Sequence, residues 1–374
     1  MSAPAYLDYQ ATTPVAPEVA AAMRPWIEEK FGNPHSPHRL GREAAAAIET
    51  ARGEIVGMLG AGGAVYFTSG ATEAANWALK GIAARLPADR RRIVTLATEH
   101  ACVLDTVEWL GGQGVAIDIL PVGCDGLVDL DLAASRIGAG TGIVAAMLVN
   151  NEVGVIQPIV EIGRLARETG ALMFCDAVQG FGRVALPLDA CDMVALSAHK
   201  IHGPKGVGAL WLRDGIALEP LLHGGGQEGG IRSGTLSPAL CVGFGAAARL
   251  LATRGARDHD HVERLWTAAW RALPGWSLNG DSERRYHGNL NLRRDGVDAA
   301  RLISDVRGVA FSAGSACASG SGRPSHVLAA LGLAEREARS SIRLGFGRYT
   351  GEEELGAALA LIGEAAERQL RFAA

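Results

Sequence analysis

The chain has 374 residues and a mass of 38.9 kDa, with 48% hydrophobic and 20% charged side chains and a net charge of −4. At roughly 150 residues per domain, this length predicts two domains with enough apolar sequence for a large core. The balance excludes a disordered chain and gives no basic footprint for nucleic acid; the 49 glycines follow no G-x-y period, which excludes collagen.

The first residues, Met1-Ser-Ala-Pro-Ala-Tyr-Leu-Asp, lack the charged and apolar regions of a signal peptide. No apolar run approaches the ~20 residues of a membrane span. Six cysteines with no C-x-x-C pair predict neither a disulfide framework nor a zinc site. The expectation is a soluble, cytoplasmic, thiol-reduced protein with no metal, membrane or nucleic-acid partner.

In chain order, short apolar runs at residues 65–68, 93–97, 116–120, 143–149, 172–175 and 193–196 read as buried strands. Helical patterns separate most of them, at 73–85, 103–110 and 161–168. This alternation predicts an α/β fold whose large domain holds a mostly parallel, helix-covered sheet. A turn-rich stretch at 222–237 follows, then a long helix over 238–273 carrying His259, Asp260 and His261 on a solvated face. After the turn at Pro274-Gly275 the period changes. Strands at 289–292 and 309–311, with helices at 298–306, 324–331 and 352–371, predict a smaller α+β domain.

The run at 193–196 leads into Ser197-Ala-His199-Lys200-Ile-His-Gly203-Pro204-Lys205-Gly206, at the carboxyl end of a strand, where α/β sheets bind ligands. The chain has only four lysines, Lys30, Lys80, Lys200 and Lys205, and two of them stand here. A strand-end lysine is ordinarily a solvated loop residue, but one set in apolar sequence is desolvated and nucleophilic at neutral pH. Asp176 ends the preceding run. It is either a helix cap or a carboxylate that keeps a pyridinium nitrogen protonated, and Gln179 just beyond can donate to a ring substituent. Thr68-Ser-Gly70-Ala71-Thr72-Glu73 passes from strand to turn to helix and offers N–H groups and a hydroxyl to a phosphate, although Thr-x-x-Glu is also a capping box. No dinucleotide or P-loop pattern is present. Phosphate turn, acid and lysine, in this order along the chain, outline pyridoxal phosphate.

Cys175, Cys191 and Cys241 read as core residues, while Cys102 and Cys124 fit no particular role. Cys317 differs. It stands among Gly314, Ser315, Ala316, Ala318, Ser319, Gly320, Ser321 and Gly322, with no bulky neighbour to bury it, and reads as a reactive thiol on a mobile, exposed loop.

These segments occur together with Tyr6-Leu-Asp-Tyr-Gln-Ala-Thr-Thr-Pro14, Phe31-Gly-Asn-Pro34, Thr98-Glu-His100, Asn150-Asn-Glu152, Arg232-Ser-Gly-Thr235 and Ser340-Ser-Ile-Arg343. Nearly end to end, the chain resembles the pyridoxal-phosphate-dependent cysteine desulfurases of the NifS/IscS kind, in the class V aminotransferase superfamily. The resemblance implies the type I fold of such transferases. A large cofactor domain would span 16–257, and a small domain would join 1–15 to 258–374 and carry the Cys317 loop. It implies pyridoxal 5'-phosphate held by Lys200, with Asp176 at the ring nitrogen, Gln179 at the ring hydroxyl, His100 stacked on the ring and Asn151 nearby. Ala71, Thr72, Ser197 and His199 would surround the phosphate, with Thr235 reaching in from the second subunit of a homodimer. Arg343, with Asn33 nearby, would clamp the substrate carboxylate. Cys317 would take the sulfur of L-cysteine as a persulfide, leave L-alanine, and pass the sulfur to an acceptor protein such as an iron–sulfur scaffold, for cluster, cofactor or tRNA synthesis.

Two departures from the family pattern stand out. Gly229 occupies a position where family members commonly carry Arg, and the chain ends at Ala374 without the tail by which housekeeping members dock a scaffold. A specialised or divergent member is the expectation. The alternatives are a selenocysteine lyase or a class V aminotransferase, the second disfavoured by Cys317. A non-catalytic scaffold protein on the same fold would be marked by loss of Lys200 or Asp176, and both are present.

Overall fold

The computed structural model describes residues 4–314 and 325–373. Cys317 lies outside the described residues, as does the small-residue run around it.

The described strands are β1 (Ala5–Tyr6), β2 (Gly63–Thr68), β3 (Arg92–Leu96), β4 (Ala116–Leu120), β5 (Thr141–Met147), β6 (Leu172–Asp176), β7 (Met193–Ser197), β8 (Gly208–Arg213), β9 (Ser277–Leu278), β10 (Asn289–Arg293), β11 (Val309–Ala310) and β12 (Ser341–Gly345). Seven of them form the main sheet, in the order β2-β8-β7-β6-β5-β3-β4. β8 runs antiparallel to β2 and β7, and the remaining neighbours are parallel. The sequence reading names no strand at β8. A 3-10 turn at Ala198–Lys200 and a loop, with no α-helix, separate it from β7, so the chain returns antiparallel along its neighbour.

Successive side chains of the central strands face opposite sides of the sheet. Phe67, Val144, Ala146 and Cys175 pack with the helices Arg39–Leu59, Ile159–Thr169 and Pro238–Ala272. Ile143, Ala145, Phe174 and Ala195 pack with the helices Ala71–Ala83 and Ala101–Gly111. Every residue of β5 is buried, as a parallel strand covered on both faces requires.

A second core gathers Leu7 with Leu265, Leu290, Leu292, Ile342, Leu344 and Leu355. It lies on the antiparallel sheet β12-β10-β9, while β1 pairs in parallel with β11. The 35-residue helix Pro238–Ala272 serves both cores, giving Phe244 and Ala247 to the first and Leu265 and Ala269 to the second. It begins with Ser237 Oγ accepting from the Leu240 N–H and with proline in the first turn. On this helix His259 and Asp260 are exposed as expected. His261 is a correction, because its Nε2 bonds the Thr350 carbonyl at 2.9 Å and draws the ring inward.

Candidate active site

The carboxyl ends of β6 and β7, the amino end of the helix Ala71–Ala83 and the segment around Gln10 enclose a cavity of about 380 Å³. Ala71, Thr72, His100, Asn151, Asp176, Gln179, Ser197, His199, Lys200 and Arg343 all line it. The sequence therefore names ten of its walls from segments up to 270 residues apart.

Lys200 follows β7 in a single 3-10 turn, Ala198–Lys200. Its Nζ donates to the backbone carbonyls of Gln10 and Ala11, each at 2.7 Å. Burial pushes this ammonium down to about 7; the guanidinium groups of Arg183 and Arg343 push the same way, while Asp176 and Asp8 oppose them. A lysine in this state supplies free amine at neutral pH. The neighbouring His199 is driven down to about 4 by burial and by Lys200, Lys205 and Arg183. It is therefore neutral, and its Nδ1 lies 3.1 Å from Thr12 Oγ1.

Asp176 closes β6 and is buried, with Oδ1 accepting from the Val178 N–H at 2.9 Å. Burial raises its proton affinity; His100, the Val178 N–H and Lys200 pull it back down. His100 is the N-cap of the helix Ala101–Gly111, its Nδ1 accepting from the Cys102 N–H at 3.1 Å. That bond leaves the ring proton on Nε2. His100 is thus both the helix-start residue and a wall of the cavity. Gln179 donates from Nε2 to the Gln10 carbonyl at 2.9 Å.

The turn into the helix Ala71–Ala83 has Gly70 at its N-cap and no side-chain cap. The N–H groups of its first turn have no helical acceptor, and they line the cavity opposite Ser197, Lys205 and Gly206. Glu73 does not complete a box with Thr68. It accepts the Ser69 N–H at 2.7 Å and pairs with Arg232 through two bonds of 2.7 and 2.9 Å. Although burial alone would raise its carboxyl, the Arg232 and Ser69 bonds hold it below the ordinary value. A Cβ at Gly208 would lie 2.7 Å from the Gly70 carbonyl carbon, so only glycine lets β8 run this close behind the turn.

Arg343, on β12, is buried and reaches the cavity with Nη2 on Asp8 Oδ1 at 2.7 Å and Nη1 on the Asn151 carbonyl at 3.0 Å. Its Nε is buried with no partner among the described residues. The structure does not bring two named residues to this cavity. Asn33 is exposed, its Oδ1 accepting from the His35 N–H at 2.9 Å, and Thr235 is exposed in the turn-rich stretch. Cys317 lies outside the described residues.

Sequence reasoning missed Asp8, Gln10, Ala11 and Ser69. The first three sit in the Tyr6–Pro14 motif, and their backbone carbonyls and carboxylate, rather than a distinctive residue type, do the work. Cys102, given no role from sequence, lines the cavity beside His100, and burial raises its thiol. Among the described residues no group of His, Cys, Asp and Glu could hold a metal ion, and no helix is long and apolar enough to cross a membrane.

Comparison with known proteins adds three findings. Residues 5–357 match the family model described as aminotransferase class-V. A cysteine desulfurase IscS of Rickettsia bellii is 45% identical over 369 residues, 96% of this chain and 90% of that one. Among solved structures, a NifS-like protein superimposes with a TM-score of 0.91 at 33% identity, covering 98% of this chain and all of that one. SspA in complex with cysteine gives 0.82 at 35%, covering 93% of this chain and all of that one.

Proposed function

The chain belongs to the class-V aminotransferase family, and from that membership we propose that it is a pyridoxal-phosphate-dependent cysteine desulfurase. It converts L-cysteine to L-alanine and hands the sulfur, by way of Cys317, to an acceptor. The observation that carries this reading is the shared cavity. A lysine with a lowered proton affinity, a buried carboxylate and the uncapped start of a helix face one space of about 380 Å³.

The residues fit the cofactor. Lys200 would hold it, Asp176 would stand at its ring nitrogen, Gln179 at its ring hydroxyl and His100 against its face. Ala71, Thr72, Ser197 and His199 would surround the phosphate, with Asn151 nearby. When bound, the cofactor supplies an electron sink for the bonds at Cα and Cβ of the amino acid. The Lys200 amine, once free, takes the Cα proton. Arg343 orients the substrate carboxylate with a planar fork. The Cys317 thiolate receives the sulfur and retains it as a persulfide.

In this reading the 1–15 and 258–374 segments form the small domain that carries Cys317, beside a large domain of 16–257. The working unit is a homodimer, in which Thr235 enters the site of the second copy. Support comes from the exposure of Thr235 and from Phe31 and Ile27, 86% and 67% exposed, which flank Asn33 with apolar surface that a second copy would cover. The five described cysteines are free, which suits the reducing cytoplasm.

Borohydride reduction of the cofactor-bound protein, followed by peptide mapping, is expected to place the label on Lys200. Cys317→Ser is expected to keep the visible absorbance and to lose sulfide and alanine formation from cysteine. Full desulfuration by that variant would overturn the assignment.

A further inference from the structure

Arg183 lies behind the cavity. It is absent from the walls of the main cavity and lines a smaller one of about 60 Å³ on the far side of Lys200, with His202, Asp258, Tyr286 and Arg348. Its Nη1 donates to Gln179 Oε1, its Nη2 donates to the Lys200 carbonyl at 2.6 Å, and its guanidinium lies 5.3 Å from the centre of the Tyr286 ring. Among the described residues no carboxylate pairs with it. A guanidinium has donors only, so the Gln179 atom facing it must be the amide oxygen. The Gln179 NH2 is thereby turned the other way, where one hydrogen goes to the Gln10 carbonyl.

We propose that Arg183 is a positioning residue of the active site: its fork locks Gln179 as a donor toward the cavity and ties that residue to the Lys200 turn, while its unpaired charge stands behind the Lys200 amine. This rests on the reading of Lys200 and Gln179 as cofactor-holding residues. Locked in this way, Gln179 can only donate to an oxygen in the cavity, as suits a ring oxygen carrying negative charge. A half-buried cation that no described acid neutralises also disfavours a second positive charge on Lys200.

The Lys200 amine is faced by Asp8 from the N-terminal segment, Asp176 from β6, Arg343 from β12 and Arg183 from the turn after β6. His199 and Lys205 on its own segment, and His100 from the helix Ala101–Gly111, line the same cavity. Removing the Arg183 charge leaves the two acids less opposed, so the protonated lysine is favoured.

The test uses the full-length apo chain with isotope-labelled lysine. Four lysines give four side-chain signals, five in Arg183→Lys, and Lys200→Ala made in each background assigns the one of interest. In Arg183→Gln the Lys200 titration midpoint is expected to rise by roughly one unit; in Arg183→Lys, which keeps the charge, it is expected to stay in place. An unmoved midpoint in Arg183→Gln, or an equal rise in both variants, overturns the electrostatic role.

The fork is tested by cofactor dissociation constants. Arg183→Lys is expected to weaken cofactor binding about threefold to tenfold, and to add nothing in a Gln179→Ala background. Additive losses overturn the lock, and this cycle decides alone if Arg183→Gln does not fold. Failure of the functional reading shows separately, as absence of borohydride label at Lys200.

Discussion

Lys200 needs no unusual neighbour to be reactive; it needs to be dry and to have cations close by that offset its two acids. With its amine held near 7, the fraction able to attack an aldehyde falls about tenfold for each unit of pH below that value and levels off above it. The rate at which the apo chain captures cofactor, followed by absorbance, is therefore expected to be roughly tenfold lower at pH 6 than on the plateau. His199, already neutral, should contribute no step between pH 5 and 8. Lys200 and Asp176 were legible in the sequence because each ends an apolar run, and because lysine is scarce. Arg183 was not: it is one of thirty-two arginines, and nothing local distinguishes it until Gln179 and Tyr286 are seen against it. The carbonyls of Gln10 and Ala11 have no signature at all, since every residue carries one.

The turn before the helix Ala71–Ala83 shows how elements, rather than residues, build the phosphate side of the site. β8 passes so near this turn that Gly208→Ala would push a methyl group into the Gly70 backbone. That variant is expected to lose at least about tenfold in cofactor affinity, measured by fluorescence titration, with its far-ultraviolet circular dichroism unchanged. The neighbouring glycine-rich stretch is fastened rather than loose. Glu228 accepts from Arg52 at 2.7 and 2.8 Å and from the Phe67 N–H at 2.8 Å, while Arg232 grips Glu73. Gly229 adopts φ +66° with open space around its Cα, a left-handed conformation that suits glycine. The parallel strands were legible from apolar runs alone. β8 and β12 were not: β8 follows directly on the Ser197–Gly206 motif, β12 overlaps the Ser340–Arg343 motif, and pairing with β2 and β10 decides that they are strands.

For the whole molecule, the proposed exchange of Thr235 between copies makes a sharp prediction. Dimers mixed from Lys200→Ala chains and Thr235→Ala chains contain one site with both residues intact, so mixing two weak proteins is expected to restore activity. If Thr235 served its own chain, no site would be restored. Asp8→Ala should cost about 3–5 kcal/mol of stability in chemical denaturation, because it strands the buried Arg343 guanidinium. Two cores were foreseeable from the change of period near Pro274, but the use of one helix by both was not, since an unbroken helical pattern gives no sign of where its partners change.

Residues 5–13 pair with Val309 and Ala310, bond Arg343 through Asp8, and hold Lys200 through the carbonyls of Gln10 and Ala11. Residues 5–13 must therefore wait for residues 309–343 before they can settle. Nascent chains arrested before residue 340 should leave Lys200 without its floor and capture cofactor poorly. Cofactor loading would then report that β11 and β12 have reached their places against residues 5–13.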